Sequence, residues 1–108
     1  MDFDPLKMDV ISLSQDRAVA ELHIVRDTPW TGTDDELNSF QAKVQTYVSY
    51  AMDGQMNAAY PETSGLPWMI VVTSYEGRPD ERTTFVMDAL QERLRAYGGS
   101  LTHRNVER

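Results

Sequence analysis

The sequence predicts an α/β domain of the α+β two-layer sandwich kind, in the order β-β-α-β-α-(β), with a mixed sheet and two helices on one face. Three observations predict it. Two alternating apolar segments sit close together near the start of the chain. Two longer stretches carry apolar residues at helical spacing, and between them lies a short segment that is apolar at nearly every position. With 108 residues there is room for one domain, 1–108, and one core.

The elements follow in order. Met8–Gln15 contains the β-branched run Val10-Ile11-Ser12-Leu13. After the polar Ser14-Gln15-Asp16-Arg17, the segment Ala18–Arg26 alternates Ala20, Leu22 and Ile24 with Glu21 and His23, so the pair reads as a hairpin with one buried face. Asp27-Thr28-Pro29-Trp30-Thr31-Gly32 is a turn cluster that stops the second strand. Thr33-Asp34-Asp35-Glu36 matches a capping box, in which Thr33 accepts from the Glu36 amide and Glu36 reaches back. Leu37, Phe40, Val44, Tyr47, Val48 and Ala51 form the apolar stripe of the helix that follows, and Gly54 ends it. Gln55–Pro67 is a long connection with space for a turn or two of helix before Pro61.

Trp68–Tyr75 reads as a central strand, with Trp68, Ile70 and Val72 on one face and Met69, Val71 and Tyr75 on the other. Because it follows a helical crossover, it should run parallel to the second strand. Asp80 is placed to cap a second helix running through Tyr97, with Val86, Ala89, Leu90, Leu94 and Tyr97 as its stripe and Gly98-Gly99 as its stop. Ser100–Val106 can add a short edge strand.

The pattern resembles a family of small bacterial proteins classed as a domain of unknown function. The resemblance rests on the Val10-Ile11 strand, Asp27-Thr28-Pro29-Trp30 before a long helix, and Gly54 followed by Ala59-Tyr60-Pro61. It continues through the apolar third strand and the helix after Pro79-Asp80, and so covers most of the chain. It implies the architecture above and no activity.

Composition narrows the chemistry. Without cysteine there is no disulfide, thiolate nucleophile or Cys-bound metal, which fits a cytoplasmic location. The acidic start Met1-Asp2-Phe3-Asp4-Pro5 is not expected to be a signal peptide. The apolar run Leu66–Val72 is far short of the roughly 20 residues a membrane helix needs. Seventeen acids against ten bases give a net charge of −7, a field that opposes phosphate backbones, so nucleic-acid binding is not expected.

The candidate site residues are few. His23 with Glu21 is a His–carboxylate pair suited to acid–base work, although alternation suggests Val19 and Val25 as the same-face neighbours of His23. No spacing provides a set of metal ligands, and no cofactor is expected. Asp34, Asp35 and Glu36 are explained by capping and the helix dipole. The turn at Tyr75–Glu81 carries Arg78 but no glycine-rich phosphate motif. Trp30, Tyr50 and Tyr60 are aromatics with polar handles, the residues that binding surfaces overuse.

The expected function is therefore a non-enzymatic interaction module. It should be a homodimer that uses one face of the third strand (Trp68, Met69, Val71 or Tyr75) and binds a protein partner through an acidic or aromatic surface. The alternative is a small hydrolase or ligand-binding enzyme subunit built around His23 and Glu21.

Overall fold

The computed structural model describes residues 10–106 except 15, 17, 27 and 76. It contains β1 (Val10–Leu13), β2 (Ala20–Arg26), α1 (Asp34–Met52), α2 (Gln55–Ala59), a 3-10 turn at Pro61–Thr63, β3 (Trp68–Ser74), α3 (Glu81–Arg95) and β4 (Gly99–Asn105). The strands form one mixed sheet in the order β1-β2-β3-β4. β1 pairs antiparallel with β2, and β2, β3 and β4 run parallel to one another. Each parallel step is made by a helical crossover, as the spacing of strands and helices predicts.

The register sorts the side chains into rows. On the core face, Ala20, Trp68 and Gly99 lie side by side, then Leu22, Ile70 and Leu101, then Ile24, Val72 and His103, and last Arg26, Ser74 and Asn105. The first two rows are apolar and join Phe40, Val44 and Tyr47 of α1 and Met87, Leu90 and Leu94 of α3 in a single core cluster. Burying each of these large side chains contributes about 1.5–3 kcal/mol. Gly99 is required in the first row because a Cβ there would run into the buried Trp68 ring. At the carboxyl ends of the strands the rows turn polar. That gradient puts hydrogen-bonding groups at one end of an otherwise apolar core.

Both helix starts behave as their sequences require. Thr33 caps α1 by accepting from the Glu36 amide at 3.3 Å, and Asp80 caps α3 by accepting from the Thr83 amide at 3.3 Å. The reciprocal half of the capping box is different. Glu36 does not return to Thr33; its carboxylate reaches further back to the amides of Thr31 and Gly32, each at 3.0 Å, and to Arg26. Gly54, with φ +90°, lies between α1 and α2 in the left-handed region that glycine favours.

The end of α3 corrects the sequence reading. The helix ends at Arg95, and Ala96–Gly98 form a turn that leaves Tyr97 half exposed, outside the apolar stripe; Ala89 is exposed as well. The inward positions are instead Thr83, Met87, Leu90 and Leu94. The final strand has all seven of its residues in register with β3.

The alternate face of the sheet carries Glu21, His23 and Val25, then Met69, Val71 and Thr73, then Ser100, Thr102 and Arg104. Trp68 is therefore inside the core, and the outward set of the third strand is the one containing Met69 and Val71. Val71 and Thr73 are buried and Met69 is half-buried, whereas Val25, Thr102 and Arg104 are exposed. Among the described residues no helix is long and apolar enough to cross a membrane.

Candidate functional site: the carboxyl ends of the parallel strands

Two polar assemblies occupy the polar end of the sheet. The first is built at the end of β2. Arg26 and Glu36 form an ion pair buried at both partners, and Arg26 also donates to the Pro29 carbonyl at 3.2 Å. The Arg26 guanidinium carbon lies 5.2 Å from the centroid of the Trp30 ring, within cation–π range. Trp30 meets Phe40 edge-on with centroids 5.7 Å apart. The segment from Thr28 to Thr33 thus winds round Arg26 so that Glu36 can satisfy its amides and the guanidinium together. Among the described residues the Glu36 carboxylate is hydrogen-bonded to Arg26 at the end of β2 and to Thr31 and Gly32 of this turn.

Trp30 was a candidate binding residue by its type. In the structure it is buried, and its indole N–H donates to Ser74 Oγ at 2.8 Å. This bond links the first assembly to the second, because Ser74 Oγ is also 2.7 Å from His103 Nε2. The polarity of the chain follows from the chemistry of its members. An indole nitrogen can only donate, so Ser74 must accept from Trp30. Ser74 is 1% exposed, and its hydroxyl proton has no other acceptor among the described residues. A buried donor left unpaired costs about 1–3 kcal/mol. The arrangement that pairs all three groups runs Trp30 N–H to Ser74 O–H to His103 Nε2. It places the His103 proton on Nδ1 and keeps the ring neutral. In agreement, burial first and the Arg78 charge second hold the His103 pKa below its usual value.

His103 lines a cavity of about 510 Å³ together with Arg78, Pro79, Thr84 and Asn105. A groove continuous with it runs between α3 and β4, lined by Met87, Asp88, Gln91, Leu101 and Thr102 in addition to Pro79, Thr84 and His103. Arg78 comes from the β3–α3 connection, Thr84 from the first turn of α3, and His103 and Asn105 from alternate positions of β4. Thr84 gives its hydroxyl proton to the Asp80 carbonyl at 3.0 Å. Arg78 makes no ion pair among the described residues, whereas Arg82 is paired with Asp34 and Arg95 with Glu92. Asp80, two residues further on, is engaged by the Thr83 amide and hydroxyl, which also keeps its pKa below the usual carboxylate range.

The other candidates lie elsewhere. His23 and Glu21 are together on the outward face of the sheet, with Nε2 3.5 Å from Glu21 Oε1. Glu21 is thus a same-face neighbour of His23, since residues two apart on a strand share a face. Ser12 Oγ is 3.0 Å from the same ring nitrogen. A Ser–His–acid relay needs the hydroxyl and the acid on opposite nitrogens, so the trio does not have that geometry. Tyr50 and Tyr60 come together where α1 meets α2. Tyr50 is half-buried and its pKa is raised, mainly by burial and then by Tyr60, which is exposed. Trp30 is remote from this pair along α1. Among the described residues no group of three or more His, Asp or Glu side chains could hold a metal ion.

The sequence marks Arg78 on its loop, but nothing in its spacing joins Arg78 to His103, Asn105 and Ser74. The available signal was the loss of apolar character at the last core-facing positions of β2, β3 and β4. Seeing it requires the strand register, which fixes which residues lie side by side.

A family model matches the chain over residues 3–107, and it describes a family of unknown function. No curated protein and no solved structure matches it.

Proposed function

This chain belongs to DUF6572, a family of unknown function, so its role has to come from its own chemistry, and we propose that it is a non-enzymatic binding module. Its ligand seats in the crevice between α3 and β4. One observation carries this reading: Arg78, His103 and Asn105, none of them committed to an ion pair among the described residues, line one cavity of about 510 Å³. That volume is within the range of about 300–1,000 Å³ typical of small-molecule sites. The hydroxyl nearest to a cavity histidine belongs to Ser74, which is buried and already donating, so it is not placed to attack a substrate. This favours binding over hydrolysis.

The test is a screen of small polar fragments followed by backbone amide shifts. Binding at this site moves the signals of Arg78, Thr84, His103 and Asn105. Shifts confined to Met69, Val71 and Arg104 would favour the outward sheet face instead, the surface available to a second copy. Shifts confined to Tyr50 and Tyr60 would favour an aromatic partner surface. Either result would overturn the crevice reading.

A further inference from the structure

We infer that the crevice is an oxyanion site that takes the carboxylate or phosphoryl group of a small organic molecule, seated between Arg78, His103 and Asn105. The inference rests on the crevice reading and adds the class of its ligand. Three features of the site support it.

The first is charge. The chain carries seventeen acids and ten bases, yet among the described residues lining the cavity there is a cation and no carboxylate. Ion pairs occupy Arg26, Arg82 and Arg95 elsewhere, while Arg78 has no such partner among the described residues. A guanidinium presents N–H groups in a planar fork that matches a carboxylate or a phosphoryl group.

The second is donor polarity. The hydrogen-bond chain from Trp30 through Ser74 occupies Nε2 of His103 as an acceptor. The ring's remaining nitrogen is then an N–H donor, with no partner among the described residues. His103 therefore offers a proton to a ligand without carrying a charge, and its position is fixed by two buried groups behind it. Such a second shell orients a binding group in the way that metal-bound histidines are oriented by their outer partners. Asn105, two residues on along the same face of β4, adds an amide that can donate as well.

The third is the direction of the groove. Leading away from the cavity, Pro79, Met87 and Leu101 form an apolar wall, and Asp88 and Gln91 stand beside it on α3. Asp88 repels a second negative charge along that path. The anionic group accordingly sits at Arg78, and the organic body lies against Met87 and Leu101. No part of this site uses the helix N-terminus of α3, which Asp80 already fills.

The probes are inorganic phosphate, phenyl phosphate, benzoate and benzylamine, each titrated at constant ionic strength set with chloride. The readouts are the side-chain nitrogen signals of His103 and the amide signals of residues 78–105. Benzoate or phenyl phosphate should shift His103 and Asn105 in a saturable way, with benzylamine inert. Between the two, phenyl phosphate tighter than benzoate marks a phosphoryl site, and the reverse order marks a carboxylate site. Inorganic phosphate should bind more weakly than phenyl phosphate, because it leaves the Met87 and Leu101 wall empty. Arg78→Gln should weaken the tighter anion by about tenfold or more, while Arg93→Gln, at the far end of α3, should not. Saturable binding of benzylamine with no response to the anions would refute the anion inference and leave the crevice reading standing. No saturable shift with any of the four, alongside fragment hits at the outward face, would sink both.

Discussion

The end of β2 and the end of β4 are built from the same ingredients and put them to opposite uses. Each has an arginine, an aromatic or imidazole ring and a polar side chain closing a row of the sheet. At Arg26 the guanidinium meets Glu36, the Pro29 carbonyl and the Trp30 ring, and the assembly is buried. At Arg78 the guanidinium is exposed, and the neutral His103 ring beside it has one nitrogen to spare. The difference lies in the acid. Glu36 sits on the first turn of α1, where it can reach Arg26 and two backbone amides together. Asp80, the capping acid at the start of α3, spends its carboxylate on Thr83. A single acidic side chain thus separates a structural clasp from an open site.

The comparison breaks most sharply at Glu36. Glu36→Ala removes the carboxylate paired with the buried Arg26 and leaves the Thr31 and Gly32 amides without their acceptor, and it should cost about 3–5 kcal/mol in urea unfolding. A loss below about 1 kcal/mol would mean that the clasp does not hold the end of β2. Gly99→Ala comes next. The added methyl must displace the buried Trp68 ring, and overpacking of this kind costs about 1–3 kcal/mol. Thr33→Ala removes only the side-chain cap of α1, so about 1 kcal/mol is expected. No measurable change would show that Glu36 alone fixes the helix start.

A smaller effect distinguishes the two ends by pH. The folded state holds His103 below its ordinary value of 6.5, so it resists a proton that the unfolded chain accepts. The stabilisation is complete above about pH 6.5 and is lost as pH falls through the folded pKa. Arg78 on the β3–α3 connection opposes protonation of the ring; Asp88, beside the groove, favours it. His103→Gln should flatten the decline in melting temperature just below pH 6.5. An identical pH profile in the variant would show that this ring contributes nothing to it.

The fold was legible because each element announces itself over several residues. The alternation of Ala20, Leu22 and Ile24, the Thr33 and Asp80 caps, and the two-sided apolar run at Trp68–Val72 all reappear as read. The errors fall where tertiary geometry overrides local pattern. Glu36 leaves its capping-box partner because a buried guanidinium competes for it. Tyr97 leaves the helix stripe because the turn into β4 must bring Gly99 under Trp68. The site was far less legible. Trp30 has the composition of a binding residue, but its N–H is consumed in orienting Ser74. His103 has no partner close to it in the sequence: Ser74 is 29 residues away, and Arg78 lies on a loop without a glycine-rich motif. A site assembled from the ends of parallel strands leaves no spacing in the sequence to read.

The central claim is that Arg78 serves a ligand whereas Arg26 serves the fold. Urea unfolding of Arg78→Gln, with and without saturating phenyl phosphate or benzoate, tests it most directly. The account predicts a stability within about 0.5 kcal/mol of the parent when no ligand is added, as for other exposed substitutions, and loss of the ligand-induced stabilisation seen in the parent. A variant destabilised as strongly as Glu36→Ala, or one still stabilised by the anion as the parent is, would contradict it.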